Sequence, residues 1–357
     1  VERPGANRAV LFAAQILPSC LWHCPQNYAL MATNQSPASR TSFMPSPIAF
    51  VSRMNAQAED VWKQALRAAM PKEEILSFSE LSGEQKRAVD FAIVANPDPA
   101  DIAALPGLSW IHSLWAGVER LVLELGDKAP PIVRLKDPEL SRVMAEAVLA
   151  WTYYLQRDMP AYRENQQQAL WHEFDYRHPS EMTIGLLGLG ALGTAAAERL
   201  LHAGFNVSGW SRSAKAIEGV ETLTGDDGLQ GLLEKSDILV CLVPLTDATR
   251  GLLNAGRLAA MKKGAALINF ARGAVIVTDD LIAALHSGQL SHAVLDVFEQ
   301  EPLPAASAFW QHPKVTVLPH ISAPTSRESS ARIVAGNIRT WRETGALPET
   351  VDMARGY

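Results

Sequence analysis

An apolar run from Thr183 to Leu187 passes without a spacer into Gly188-Leu189-Gly190-Ala191-Leu192-Gly193, and the glycines pass directly into a helical pattern that continues to Ala203 and stops at Gly204. A strand can turn this abruptly into a helix only where the turn residue tolerates positive φ and no side chain stands between the two elements. At this spacing the first glycine permits the tight turn, the second lets backbone approach a pyrophosphate, and the third lets helix and strand pack closely. The free N–H groups at the start of the helix then face the anion. Gly188, Leu189, Gly190, Ala191, Leu192 and Gly193 are therefore candidate dinucleotide-binding positions.

The surrounding pattern has the alternation that a parallel sheet with crossover helices demands. Downstream, strands are predicted at Asn206–Trp210, Ile238–Val243, Ala265–Phe270, Ala293–Val297 and Val315–Leu318. Helices are predicted between them at Leu229–Lys235, Ala255–Met261 and Asp279–His286, the last with Thr278 as N-cap. Upstream, Ile48–Val51, Phe91–Val94 and Trp110–Leu114 read as short strands, and Ala58–Met70 as a helix with Val61, Trp62, Ala65, Leu66 and Ala69 on one face. Arg142–Tyr154 and Ser329–Glu343 read as two further helices, the second returning to the first domain. A chain of 357 residues exceeds what one core usually supports, so two α/β domains are expected. The boundaries read as a disordered N-terminal extension over 1–46, a substrate-binding domain over 47–147, a cofactor domain over 148–324 and a returning C-terminal helix and tail over 325–357.

Charge and composition exclude several function classes. The formal net charge is -6 with no long basic run, which works against nucleic acid or anionic lipid as partners. No apolar run is long enough to span a bilayer. Of the three cysteines, Cys20 and Cys24 lie in the extension and Cys241 in an apolar run, so neither a disulfide framework nor a metal site is expected, and a reducing cytoplasm fits best.

The segment after the second strand of the glycine unit indicates which dinucleotide is bound. An NAD site places an acidic residue there for the ribose 2′-hydroxyl. Here the segment is Trp210-Ser211-Arg212-Ser213 with Lys215 just beyond, which offers a guanidinium, two hydroxyls and an ammonium to a 2′-phosphate. NADPH is the expected cofactor, with NADH weaker.

Three polar residues fall at the ends of later strands, where ligands bind in open α/β sheets: Arg272 in Asn269-Phe270-Ala271-Arg272-Gly273, Glu301 in Glu299-Gln300-Glu301-Pro302-Leu303, and His320 in Leu318-Pro319-His320. Reducing a 2-keto acid needs a cation for the carboxylate and an acid to protonate the developing alkoxide. Arg272 has the planar fork for the first task, His320 can supply the proton, and Glu301 can keep the imidazole protonated.

Together these motifs resemble the D-isomer-specific 2-hydroxyacid dehydrogenase family over Pro47 to Tyr357. Within it they are similar to the bacterial glyoxylate/hydroxypyruvate reductase A group, through Trp210-Ser211-Arg212, Asp296-Val297-Phe298, Trp310-Gln311-His312-Pro313 and the terminal Val351-Asp352-Met353-Ala354-Arg355-Gly356-Tyr357. The resemblance implies a Rossmann-type cofactor domain, a smaller flavodoxin-like substrate domain, both doubly wound on parallel sheets, an active site in the cleft and a homodimer. It also implies a catalytic triad of Arg272, Glu301 and His320, with Asp296 beside the nicotinamide and Val243, Pro244 and Ala271 counted among the cofactor positions. It assigns Trp115, Ala116 and Gly117, followed by Val118, to a loop whose backbone N–H groups hold the substrate carboxylate opposite Arg272. The expected reaction is NADPH-dependent reduction of glyoxylate to glycolate and of hydroxypyruvate to D-glycerate. The alternatives are a lactate- or phosphoglycerate-type dehydrogenase, or a nucleotide-sensing binding protein of the co-repressor type. One departure concerns substrate size: the chain has Ala95-Asn96-Pro97-Asp98-Pro99 where that group tends to carry a Trp shortly before a proline pair.

Overall fold

The computed structural model describes residues 46–353. The readings placed on Cys20, Cys24, the N-terminal extension and Ala354 to Tyr357 lie outside the described residues, apart from Ser46. Two parallel sheets dominate. The first contains β1 (Ile48–Ser52), β2 (Ile75–Ser77), β3 (Phe91–Ala95), β4 (Trp110–Ser113) and β5 (Ile132–Val133) in the order β2-β1-β3-β4-β5. The second contains β6 (Thr183–Leu187), β7 (Asn206–Trp210), β8 (Val220–Leu223), β9 (Ile238–Cys241), β10 (Ala265–Asn269), β11 (Leu290–Leu295) and β12 (Val315–Val317) in the order β12-β11-β10-β9-β6-β7-β8. The winding of the second sheet reverses between β6 and β9, which opens a crevice at the carboxyl end of β6 where a ligand can enter.

The helices α1 (Ala56–Ala69), α2 (Gly83–Ala88), α3 (Pro99–Ala103) and α4 (Glu119–Leu125) belong to the first sheet, and α5 (Pro138–Gln156) and α6 (Met159–Gln167) follow it. Then come α7 (Ala191–His202), α8 (Gly225–Lys235), α9 (Ala255–Ala259), α10 (Thr278–His286) and α11 (Arg327–Thr344). Each sheet is buried on both faces, as its nearly continuous apolar strands require. Met144, Ala145 and Val148 of α5 pack with Ala196, Ala197 and Leu200 of α7 against the second sheet. Ala331, Val334, Ala335 and Ile338 of α11 pack instead against the first sheet, so the C-terminal helix crosses back. Helices α5 and α11 start at one shared carboxylate, since Asp137 Oδ1 accepts from the N–H of Glu139 and from the Ser329 hydroxyl, both at 2.9 Å. No helix among the described residues is long and apolar enough to cross a membrane.

The differences from the predicted elements have local causes. Helix α5 extends beyond Arg142–Tyr154 at both ends, because Asp137 caps it and Pro138 occupies its first turn. Strand β8 is only partly buried at the edge of its sheet and carries Glu221 and Thr222, which masks its apolar pattern. Helix α6 contributes no buried side chain, so it shows no periodicity to read. Thr278 is not the cap of α10: the helix starts at Thr278 itself, with Val277 in the cap position and no side-chain cap bond. The acidic first turn faces a neighbour instead, where Asp280 accepts from the Ala255 N–H at 2.7 Å and secures the start of α9.

Candidate active site

The turn from β6 into α7 has the geometry that its glycines predict. Gly188 has φ +115°, and a Cβ there would lie 2.9 Å from the Leu242 carbonyl carbon. A Cβ on Gly193 would collide with the Gly188 carbonyl oxygen at 1.9 Å, so only glycine lets the helix sit this close to the strand end. A Cβ on Gly190 would meet nothing within 4 Å. Gly190 is the N-cap of α7 and has no side chain to cap the first N–H groups of the helix. Leu189 and Val243 are buried in the walls of this turn, and the Pro244 carbonyl is held by the Thr249 hydroxyl at 2.6 Å.

Beyond β7, the segment over Trp210 to Lys215 is tied down at several points. The Trp210 indole donates to the Gly225 carbonyl at 2.8 Å, the Ser211 N–H to the Leu223 carbonyl at 3.1 Å, and the Thr222 hydroxyl to the Lys215 carbonyl at 2.8 Å. The Ser211 hydroxyl is turned inward onto the Ser213 carbonyl at 2.6 Å, while Arg212 and Ser213 are exposed.

Three loops carry Arg272, Glu301 and His320. Asn269, buried at the end of β10, folds the first loop by accepting from the Ala271 N–H and donating to the Arg272 carbonyl, both at 3.1 Å. Arg272 Nη1 donates to the Ala271 carbonyl at 2.6 Å, and Nη2 reaches Glu119 at 3.1 Å. The guanidinium lies against the loop after β4, because a Cβ on Gly117 would stand 1.8 Å from Nη2. In that loop the Trp115 N–H is held by the Ser113 hydroxyl at 3.0 Å and the Ala116 carbonyl accepts from Arg134 at 3.4 Å. The Ala116 and Gly117 N–H groups donate to no other described residue.

His320 Nδ1 lies 2.8 Å from Glu301 Oε2, and Glu301 Oε1 accepts from the Phe298 N–H at 2.9 Å. His320 has φ +55°, a conformation that costs a side-chain-bearing residue on the order of 1 kcal/mol. It is retained because buried Asp296 accepts from the N–H groups of Ile321 at 2.7 Å and Ser322 at 2.9 Å, which sets the path of the chain beyond it. The hydrogen bond to Glu301 raises the imidazole pKa; burial opposes it, and the Glu301 and Asp296 charges add to it. Burial would raise the Glu301 pKa, but the bonds from His320 and the Phe298 N–H, with the attraction of His320 and Arg272, hold it below the usual carboxylate value. Arg272 acts electrostatically on both partners, so the three side chains share one electrostatic environment.

Residues 149–322 match the model of the D-isomer specific 2-hydroxyacid dehydrogenase NAD-binding domain. Over 304 residues the chain is 36% identical to glyoxylate/hydroxypyruvate reductase A of Yersinia enterocolitica, a match that spans 83% of this chain and 96% of that one. The chain belongs to the D-isomer-specific 2-hydroxyacid dehydrogenase family. A family member from Xanthobacter autotrophicus Py2, solved in complex with NADPH and MES, is 39% identical with a TM-score of 0.80 and covers 88% of this chain and 100% of its own. The NADPH-dependent glyoxylate/hydroxypyruvate reductase of Sinorhizobium meliloti, solved with NADP and sulfate, is 33% identical with a TM-score of 0.81 over 87% of this chain and 100% of its own.

Three residues that the structure places against Arg272 and Asp296 escaped the sequence reading. Asn269 carried a signal, being the polar end of an otherwise apolar strand, buried where a side chain must find partners. Ser322 is buried with an unpartnered hydroxyl beside Asp296. Glu119 had no sequence signal toward Arg272, because 153 positions separate them.

Proposed function

We propose that the protein reduces a small 2-keto acid with NADPH, taking glyoxylate to glycolate and hydroxypyruvate to D-glycerate. The observation that carries this reading is the 2.8 Å pair between His320 Nδ1 and Glu301, with Arg272 close enough to act on both charges. Nδ1 is committed to the carboxylate, so Nε2 of the protonated imidazole carries the proton that can reach a substrate oxygen. Arg272 and the N–H groups of Ala116 and Gly117 are suited to a carboxylate, because the guanidinium lies against this loop and its cation and the backbone donors fall close together. The cofactor's fit is supported by the open space at Gly190 and by Arg212, Ser213 and Lys215, in a segment with no carboxylate of its own; the Ser211 hydroxyl, expected to face a 2′-phosphate, is instead spent on the Ser213 carbonyl. Bound NADPH supplies the hydride for the carbonyl carbon. His320 then places its proton on the oxygen, and Glu301 stabilises the imidazolium until that transfer. The names of the Yersinia and Sinorhizobium relatives, and the nucleotide complexes of the two solved structures, support the same reaction.

In this reading the first sheet with α11 holds the substrate and the second sheet holds the cofactor. The enzyme is a homodimer of the cytoplasm, and an apolar strip supports its pairing: Leu170, Trp171 and Tyr176, just beyond α6, are all exposed. A steady-state screen of glyoxylate, hydroxypyruvate and pyruvate with NADPH and NADH tests the function. We expect turnover of the first two, with NADPH preferred. His320→Ala is expected to lower kcat by about 10²- to 10⁴-fold with NADPH binding intact. No turnover of any 2-keto acid, or lost nucleotide binding in His320→Ala, would count against the assignment.

A further inference from the structure

The guanidinium that the reductase reading gives to the substrate carboxylate already has a carboxylate beside it. Glu119 stands at the start of α4, after the first sheet's β4, whereas Arg272 follows β10 of the second sheet, and an acidic residue in the first turn of a helix needs no special explanation. Its orientation does need one. The side chain is turned across to Arg272 Nη2 at 3.1 Å, and its own exposure is only 18%. Gly117 makes this approach possible: a Cβ there would stand 1.8 Å from Arg272 Nη2 and 3.0 Å from Glu119 Oε2, so the ion pair rests on a bare α-carbon.

We propose that Glu119 is a specificity-determining residue that restricts the site to 2-keto acids with a single carboxylate. This rests on the reductase reading, and it adds the substrate class. With His320 protonated, the charges of Arg272 and His320 are matched by those of Glu119 and Glu301, while Arg134 is engaged with the Ala116 carbonyl at 3.4 Å. A monocarboxylate takes the free N–H groups of Arg272 and those of the loop. A second carboxylate on the same substrate faces the fixed charge of Glu119, which already occupies Arg272 Nη2. Like charges roughly 6–8 Å apart at a partly exposed site weaken the transition state by about tenfold to a hundredfold in kcat/KM.

The test compares glyoxylate with oxaloacetate, a dicarboxylate probe, in the unsubstituted enzyme, Glu119→Gln and Glu119→Asp, each with NADPH. Glutamine keeps an oxygen for Arg272 and removes the charge, so the expected result is a rise of at least about tenfold in the kcat/KM ratio of oxaloacetate to glyoxylate, mostly through KM. Glu119→Asp keeps the charge and is expected to keep the discrimination. If Glu119 only positions Arg272, Glu119→Gln lowers both substrates together and leaves the ratio unchanged, which overturns the proposal. An unsubstituted enzyme inactive toward every 2-keto acid overturns the reductase reading itself, and the proposal with it.

Discussion

His320 and Glu301 form a coupled acid whose behaviour toward pH follows from its parts. The raised imidazole pKa, due first to the hydrogen bond with Glu301, keeps the proton available above the ordinary 6.5. In the proposed reaction the imidazolium is the group that protonates the substrate oxygen, so reduction is expected to be fast below the raised pKa and to slow as pH rises through it. Glu301→Gln removes the anion while leaving a hydrogen-bonding oxygen, and should move this alkaline limb to lower pH. A pH profile of kcat/KM checks this, and a limb that stays in place would separate Glu301 from the proton donor. The same shift has a stability sign. The folded state holds the proton more tightly than the unfolded chain, so the pair's contribution is fully present below about 6.5 and fades as pH rises through the folded value. The types and places of His320, Glu301 and Arg272 were legible as polar residues at strand ends. The left-handed backbone of His320 was not, because it depends on Asp296 gripping the chain just after it.

Strand β4 and helix α11 are joined through a buried histidine. His112 Nδ1 faces the Ser113 carbonyl at 2.9 Å and Nε2 faces the Asn337 amide nitrogen at 2.9 Å. That pairing needs a neutral ring, with Nδ1 donating and Nε2 accepting, because a second proton would set two donors against each other. Burial pushes the pKa down to about 4 despite the Ser113 bond. His292 of β11, next to Thr316 of β12 at 2.9 Å, is likewise lowered to about 4, chiefly by burial, with His312 adding repulsion. Unfolding lets both rings bind protons between pH 6.5 and 4, so stability present above 6.5 is lost as pH falls through that window. The shift corresponds to a contribution on the order of 3 kcal/mol from each ring. Urea denaturation across pH 4–7 should show a shallower acid decline for His112→Gln than for the unsubstituted protein, although the variant starts less stable. Equal slopes would exclude His112 as the acid-sensitive contact.

At the scale of the molecule, Trp171 is 96% exposed and Leu170 and Tyr176 are about half exposed, a cost in water that a second copy of the chain would remove. Light scattering is expected to give twice the chain mass, and Leu170→Glu with Trp171→Glu to give a monomer; a monomeric unsubstituted protein would refute the pairing. The assembly of the chain itself divides into what was local and what was not. The strand–glycine–helix turn, the alternation of strands with helices and the basic segment after β7 were set by the sequence alone, because each depends on neighbours a few residues away and on the steric demands of glycine. The meeting of Glu119 with Arg272 across Gly117, the return of α11 to the first sheet and the neutral state of His112 were decided only by tertiary structure. Each of them joins residues more than a hundred positions apart, and it is their shared burial or shared charge that brings them together.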